Sequence, residues 1–168
     1  STAETSIAHH LKKGNWVFGL NGKARISEGH RFNADDQLGR IRSFLKYADR
    51  KGRTYRLSHI LSQSDIGHPG FASTPSWRRS ERTSHYLQGH GFYPISEGLS
   101  MSHSLFLNKF DTRYYDNDSA PETKKEGERI YDDVALGLRT EMLITRWERW
   151  IVMLGSDVDW SQSDVTVF

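Results

Sequence analysis

The chain has 168 residues, 23 Lys/Arg against 21 Asp/Glu, 36% hydrophobic residues and no cysteine. That length predicts one domain over 1–168 with a substantial core, and the missing thiols exclude disulfides and Cys-ligated zinc and fit a reducing compartment. A mean hydropathy of −0.69, no apolar window approaching 18 residues and a polar N-terminus without a signal-peptide core predict a soluble, cytoplasmic protein without a membrane partner.

The near-neutral total hides an asymmetry. Residues 1–110 hold 16 Lys/Arg and 8 Asp/Glu, or +8, and residues 111–168 hold 7 and 13, or −6. Either the two parts complement each other inside one fold, or the first presents a basic face to a polyanion.

Residues 1–13 are polar and read as flexible. His9 and His10 are adjacent, so they point apart and make no metal pair. Residues 14–26 read as a β-hairpin turning at Asn21-Gly22, because Asn-Gly supplies the two positive φ angles of a type I′ turn. That register puts Trp16, Phe18, Leu20, Lys23 and Arg25 on one side, an aromatic and cationic surface suited to stacking on bases and pairing with phosphates. The structural alternative is a core face with Lys23 and Arg25 reaching to its rim.

Asn33 reads as the cap of a helix with Asp35 and Asp36 in its first turn and an apolar stripe of Leu38, Ile41, Phe44, Leu45 and Ala48. Arg40, Arg42, Lys46 and Arg50 face outward, and Lys51-Gly52 closes the element. A second helix follows from Thr54 to about Gln63, carrying Leu57, Ile60 and Leu61. The pair has the outline of a helix-turn-helix, with Arg53 and Arg56 placed for phosphates, an outline any helical hairpin shares.

After a loop over 68–75, Ser76 caps a thinly apolar helix to Gln88. Its residues Trp77, Arg78, Arg79, Arg82, His85 and Tyr86 form the densest basic-aromatic cluster of the chain, suited to nucleic acid or, alternatively, to a solvated arginine face. Residues 89–94 read as a glycine-flanked aromatic loop. Over 99–107 the chain alternates strictly, with Leu99, Met101, His103, Leu105 and Leu107 on one face. That predicts a half-buried strand with His103 as a satisfied histidine or a base in a pocket. Asp111, Asp116 and Asp118 are a carboxylate cluster that could hold Mg²⁺, without the spacing of an EF-hand.

Beyond a polar linker over 119–127, residues 130–154 read as a long helix. Ile130, Val134, Leu138 and Met142 share one stripe, and Leu143, Trp147, Trp150, Ile151 and Leu154 share an opposite one. The stripe changes sides near Gly137, and Gly155 stops the helix. Trp147 and Trp150 read as core anchors. The tail 156–168 ends in an apolar run able to add an edge strand.

The expected fold is α+β: a small antiparallel sheet, from the hairpin and the strand near 99–107, packed on three or four helices. A mostly α fold with a small hairpin is the alternative. The expected function is non-enzymatic nucleic-acid binding (DNA or RNA) through Trp77, Arg78, Arg79, Arg82, His85, Tyr86, Trp16, Phe18, Lys23 and Arg25, with no cofactor, metal or catalytic residue. The alternatives are an oligomeric assembly protein joining basic and acidic parts, or to another protein partner, and a metal-dependent nuclease.

Overall fold

A computed structural model of the chain describes residues 1–29, 33–68, 70–71, 74–75, 78–115, 127–147 and 150–168. Among these there is no helix. The α+β expectation, in both forms, is overturned: the protein is all-β. Eight long strands form one antiparallel meander: β1 (Thr2–Lys13), β2 (Trp16–Ser27), β3 (Asp36–Ala48), β4 (Thr54–Gly67), β7 (Arg79–Ser96), β8 (Leu99–Tyr115), β9 (Glu128–Trp147) and β10 (Trp150–Val167). A two-stranded ribbon, β5 (Gly70–Phe71) and β6 (Thr74–Pro75), lies in the connection between β4 and β7.

Each strand pairs with the next along the chain, and β1 and β10 make no contact with each other, so both remain edges. The connections alternate. Short turns join β1–β2, β3–β4, β7–β8 and β9–β10 at one end; longer connections join β2–β3, β4–β7 and β8–β9 at the other.

The first hairpin turns at Gly14-Asn15. Gly14 has a φ of 57°, the pattern of a two-residue type II′ turn with glycine at its first central position. Asn21-Gly22 lies in the middle of β2, opposite Ala8 and Ile7. This correction reverses a surface. In a continuous strand neighbours alternate, so Trp16, Phe18 and Leu20 lie on one face and Lys23 and Arg25 on the other.

The predicted helices are strands as well. Residues 33–52 form β3 and its turn, 54–63 belong to β4, and 76–94 fall largely within β7. The predicted helix over 130–154 falls on β9 and the start of β10. Apolar residues four apart share a helix face but also a strand face. The helical stripes survive on paper because i and i+4 have equal parity. The alternation read over 99–107 is part of β8.

The sheet has no second layer, and among the described residues no hydrophobic residue is buried. Trp150, expected in a core, is 71% exposed. Packing is confined to the sheet's own faces. On one of them a phenylalanine ring lies over a glycine directly across the ladder: Phe44 over Gly19 and Phe106 over Gly137. A Cβ at either glycine would run into the ring, so Gly137, near which the apolar stripe of the sequence changes sides, is the floor of an aromatic cross-strand pair.

Gly137→Val is therefore expected to displace the Phe106 ring and destabilise the sheet by about 1–3 kcal/mol. Chemical denaturation checks it, and Gly39→Val, at a glycine whose Cβ meets nothing within 4 Å, should cost less.

Candidate functional site

Residues opposed across a ladder share a face, so the registers sort every strand position onto one of two sides. One side is apolar. Its central row runs Leu11, Phe18, Leu45, Leu57, Gly89, Leu105, Leu138 and Val158 from β1 to β10. On β9 the same side carries Val134, Leu136, Leu138, Met142 and Ile144, interrupted by Thr140. These side chains stay open: Leu105 is 51% exposed, Leu138 48% and Val158 69%.

Towards the short turns this face becomes aromatic. Trp16 and Tyr47 have ring centroids 4.7 Å apart, Tyr47 and Tyr55 6.0 Å, Tyr55 and Tyr93 5.3 Å, and Tyr93 and His103 5.7 Å. The belt crosses five strands. His103 is held in it by a 2.9 Å hydrogen bond between Nδ1 and Thr140 Oγ1. Sequence reasoning missed Tyr47, Tyr55 and Tyr93 as a set. Their shared signal is position: each lies within a few residues of a short turn, as Trp16 and Trp150 do.

Towards the long connections the same face becomes charged. Arg79 donates through both terminal nitrogens to Asp35, at 2.8 and 3.3 Å, and through Nε to Asp65 at 2.5 Å. Asn33, in the left-handed region at φ 54°, donates to the carbonyls of Arg78 and His68. The cluster ties the β2–β3 connection to that between β4 and β7. The Arg79 hydrogen bonds hold the Asp35 carboxyl below the ordinary aspartate range, against the opposing effect of its partial burial.

The opposite face is polar. On β8 it carries serines, Asn108, Thr112 and three aromatics with no charge; on β1–β4 it is rich in Arg and Lys; on β9–β10 acids outnumber bases. Arg82 lies over the Phe110 ring at 4.6 Å and Tyr86 meets the same ring edge-on at 5.2 Å.

The residues expected to bind nucleic acid are thus divided. Trp16, Phe18, Arg79 and His85 take the apolar face; Lys23, Arg25, Arg82 and Tyr86 take the polar one; Arg78 precedes β7. Lys23 pairs with Glu4 at 2.8 Å and Arg25 with Asp36 at 2.9 Å. His85 stacks on His59 with centroids 5.7 Å apart. Trp77 lies outside the described residues, as do Asp116 and Asp118. Asp111 pairs with Lys109 at 3.4 Å, and among the described residues no group of three or more His, Asp or Glu side chains is arranged to hold a metal.

No protein-family model matches the sequence, and no curated protein matches it. The fold is similar to that of the ferric preacinetobactin receptor of Acinetobacter baumannii, with a TM-score of 0.79 at 8% identity over 99% of this chain. The chain spans 29% of that receptor's length. At this identity the likeness shows the fold alone: a stretch of antiparallel sheet like that of a β-barrel receptor. No helix among the described residues is long and apolar enough to cross a membrane, which says nothing of strands.

The lowered Asp35 pKa sets a direction with pH. Its contribution is fully present above the ordinary aspartate value, near ~3.9, and is lost as pH falls through the lower folded value. Asp35 is 37% exposed, so screening should keep the effect below about 1 kcal/mol. Asp35→Asn should destabilise the protein at pH 7, and its gap to wild type should narrow as pH falls below the ordinary aspartate range, as read by denaturant midpoints at neutral and acid pH.

Proposed function

We propose that the chain is part of the wall of a membrane-spanning β-barrel, with the apolar face towards lipid and the polar face towards the lumen. The observation that carries this reading is the sorting of side chains by strand parity, clearest on β2, β8 and β9. Among the described residues the apolar band this leaves is uncovered by any second layer. In water such a face would be an aggregation hazard; in a bilayer it is the solvated side.

The dimensions support it. A membrane-crossing strand needs roughly 9–11 residues at a tilt near 45°. The apolar side chains of β9 run from Val134 to Ile144, eleven residues, and the same face of β2 is small or apolar from Trp16 to Ile26, also eleven. Short turns at one end, longer connections at the other and an aromatic belt beside the short turns are the build of outer-membrane-type barrels. The reading departs from the expectation of a cytoplasmic protein without membrane contact. Since the similar structure is named a receptor for a ferric ligand, recognition or admission of a solute through such a barrel is the functional class we infer.

Either Leu105→Arg or Leu138→Arg should cost about 2–4 kcal/mol of stability in a bilayer. Ser62→Arg, on the polar face, should cost under about 1 kcal/mol. Urea titrations in lipid vesicles measure both, alongside quenching of tryptophan fluorescence by brominated acyl chains. Equal costs on the two faces, or no quenching, would sink the reading.

A further inference from the structure

The register forces like charges together on the polar face of β1–β4. Lys23 lies directly across the ladder from Arg40, and Lys46 directly across from Arg56. Lys12 stands in the row of Lys46 and Arg56, and Arg42 lies between the two pairs on β3. Like charges opposed across a ladder are destabilising. A strand that places Arg40, Arg42 and Lys46 on one face, with Phe44 among them, adds repulsion along its length at roughly 7 Å per step of two residues.

The available carboxylates do not relieve this. Glu4 is taken by Lys23 and Asp36 by Arg25. Arg56 lies over the Phe44 ring at 5.1 Å. Among the described residues Lys12, Arg40, Arg42, Lys46 and Arg56 have no ion-pair partner, and all five are exposed. The same face is uncharged on β8, and the acids of β9–β10 are separated from the patch by two intervening strands, β7 and β8. Arg139, the base nearest those acids, already pairs with Glu141 and Asp157.

We infer that this basic sector is a binding site for a small multivalent anion bearing phosphate or carboxylate groups. Arg40 and Arg42 grip one end of it, Lys46 and Arg56 the other. Guanidinium forks take such groups in pairs, and an anion seated there would remove the repulsion the register builds in. The inference rests on the barrel-wall reading for its location, since it is in the lumen that this face would meet solutes.

Tripolyphosphate is the probe. The chain, folded in uncharged detergent micelles, is titrated by calorimetry at low and high salt. Wild type should bind, with affinity falling at least tenfold on raising the salt. Arg40→Gln/Arg42→Gln/Lys46→Gln should lose at least tenfold while keeping the β circular-dichroism band. Arg42→Gln alone, whose cross-strand neighbour on β2 is Asn21, should lose a smaller but measurable part, and it keeps the test open if the triple variant does not fold. Arg129→Gln, on the same face of β9, should bind as wild type.

No binding by folded wild type, binding by the folded triple variant within threefold of it, or binding by Arg42→Gln equal to it, overturns the inference. The lipid quenching experiment separates the two readings. Insertion without tripolyphosphate binding removes this site alone. Binding without insertion removes the barrel wall and leaves the site on an open sheet.

Discussion

The constraint on which everything else depends is that the backbone is satisfied in a single layer. Each of the six inner strands of the meander gives its N–H and C=O groups to two neighbours, and among the described residues no helix or second sheet lies against either side. A globular domain of this length would hide its apolar side chains between two layers. Here that option is absent, so each face must find its own solvent. One face carries most of the leucines and the aromatic belt, the other most of the arginines and serines, and parity along the ladder keeps these populations apart.

Parity also explains what could be read in the chain and what could not. β8 was legible because Leu99 to Leu107 alternates without a break. β9 alternates nearly as well at Val134, Leu136, Leu138, Met142 and Ile144, but a stripe of Ile130, Val134, Leu138 and Met142 satisfies a helix equally. Continued from β9 into β10, that stripe changes sides, which mimics a kinked helix. In β3 the polar face contains Leu38 and Phe44 and the apolar face contains Ser43 and Gly39. The period of two is diluted there until Leu38, Ile41, Phe44 and Leu45 look helical. Aromatics on the polar face and small residues on the apolar face are tolerated because neither face is packed to the density of a core. Weak alternation is thus a property of the architecture.

For the basic-aromatic residues, whether they converge depends on which turn is real. Moving the first turn from Asn21-Gly22 to Gly14-Asn15 sends Trp16 and Phe18 to one face and Lys23 and Arg25 to the other. Conversely, Arg40, Arg42 and Lys46, dismissed as the outer side of a helix, become neighbours of Lys23 and Arg56 once the registers are known. The charge split between the two parts of the chain is real in three dimensions. It lies along the polar face, basic on β1–β4 and net acidic on β9–β10, with uncharged β8 between.

The edges complete the argument. β1 and β10 each have one neighbour, so half of their backbone groups point away from the sheet, along 12 residues of β1 and 18 of β10. In water those groups would be hydrated; in hydrocarbon each unpaired one costs several kcal/mol. A sheet whose apolar face belongs in lipid therefore cannot leave such edges open. They do not pair with each other, and β1 is exposed along its whole length. On the barrel-wall reading, the eight strands form a sector of a larger closed ladder. That agrees with a likeness covering nearly all of this chain and under a third of the receptor it resembles.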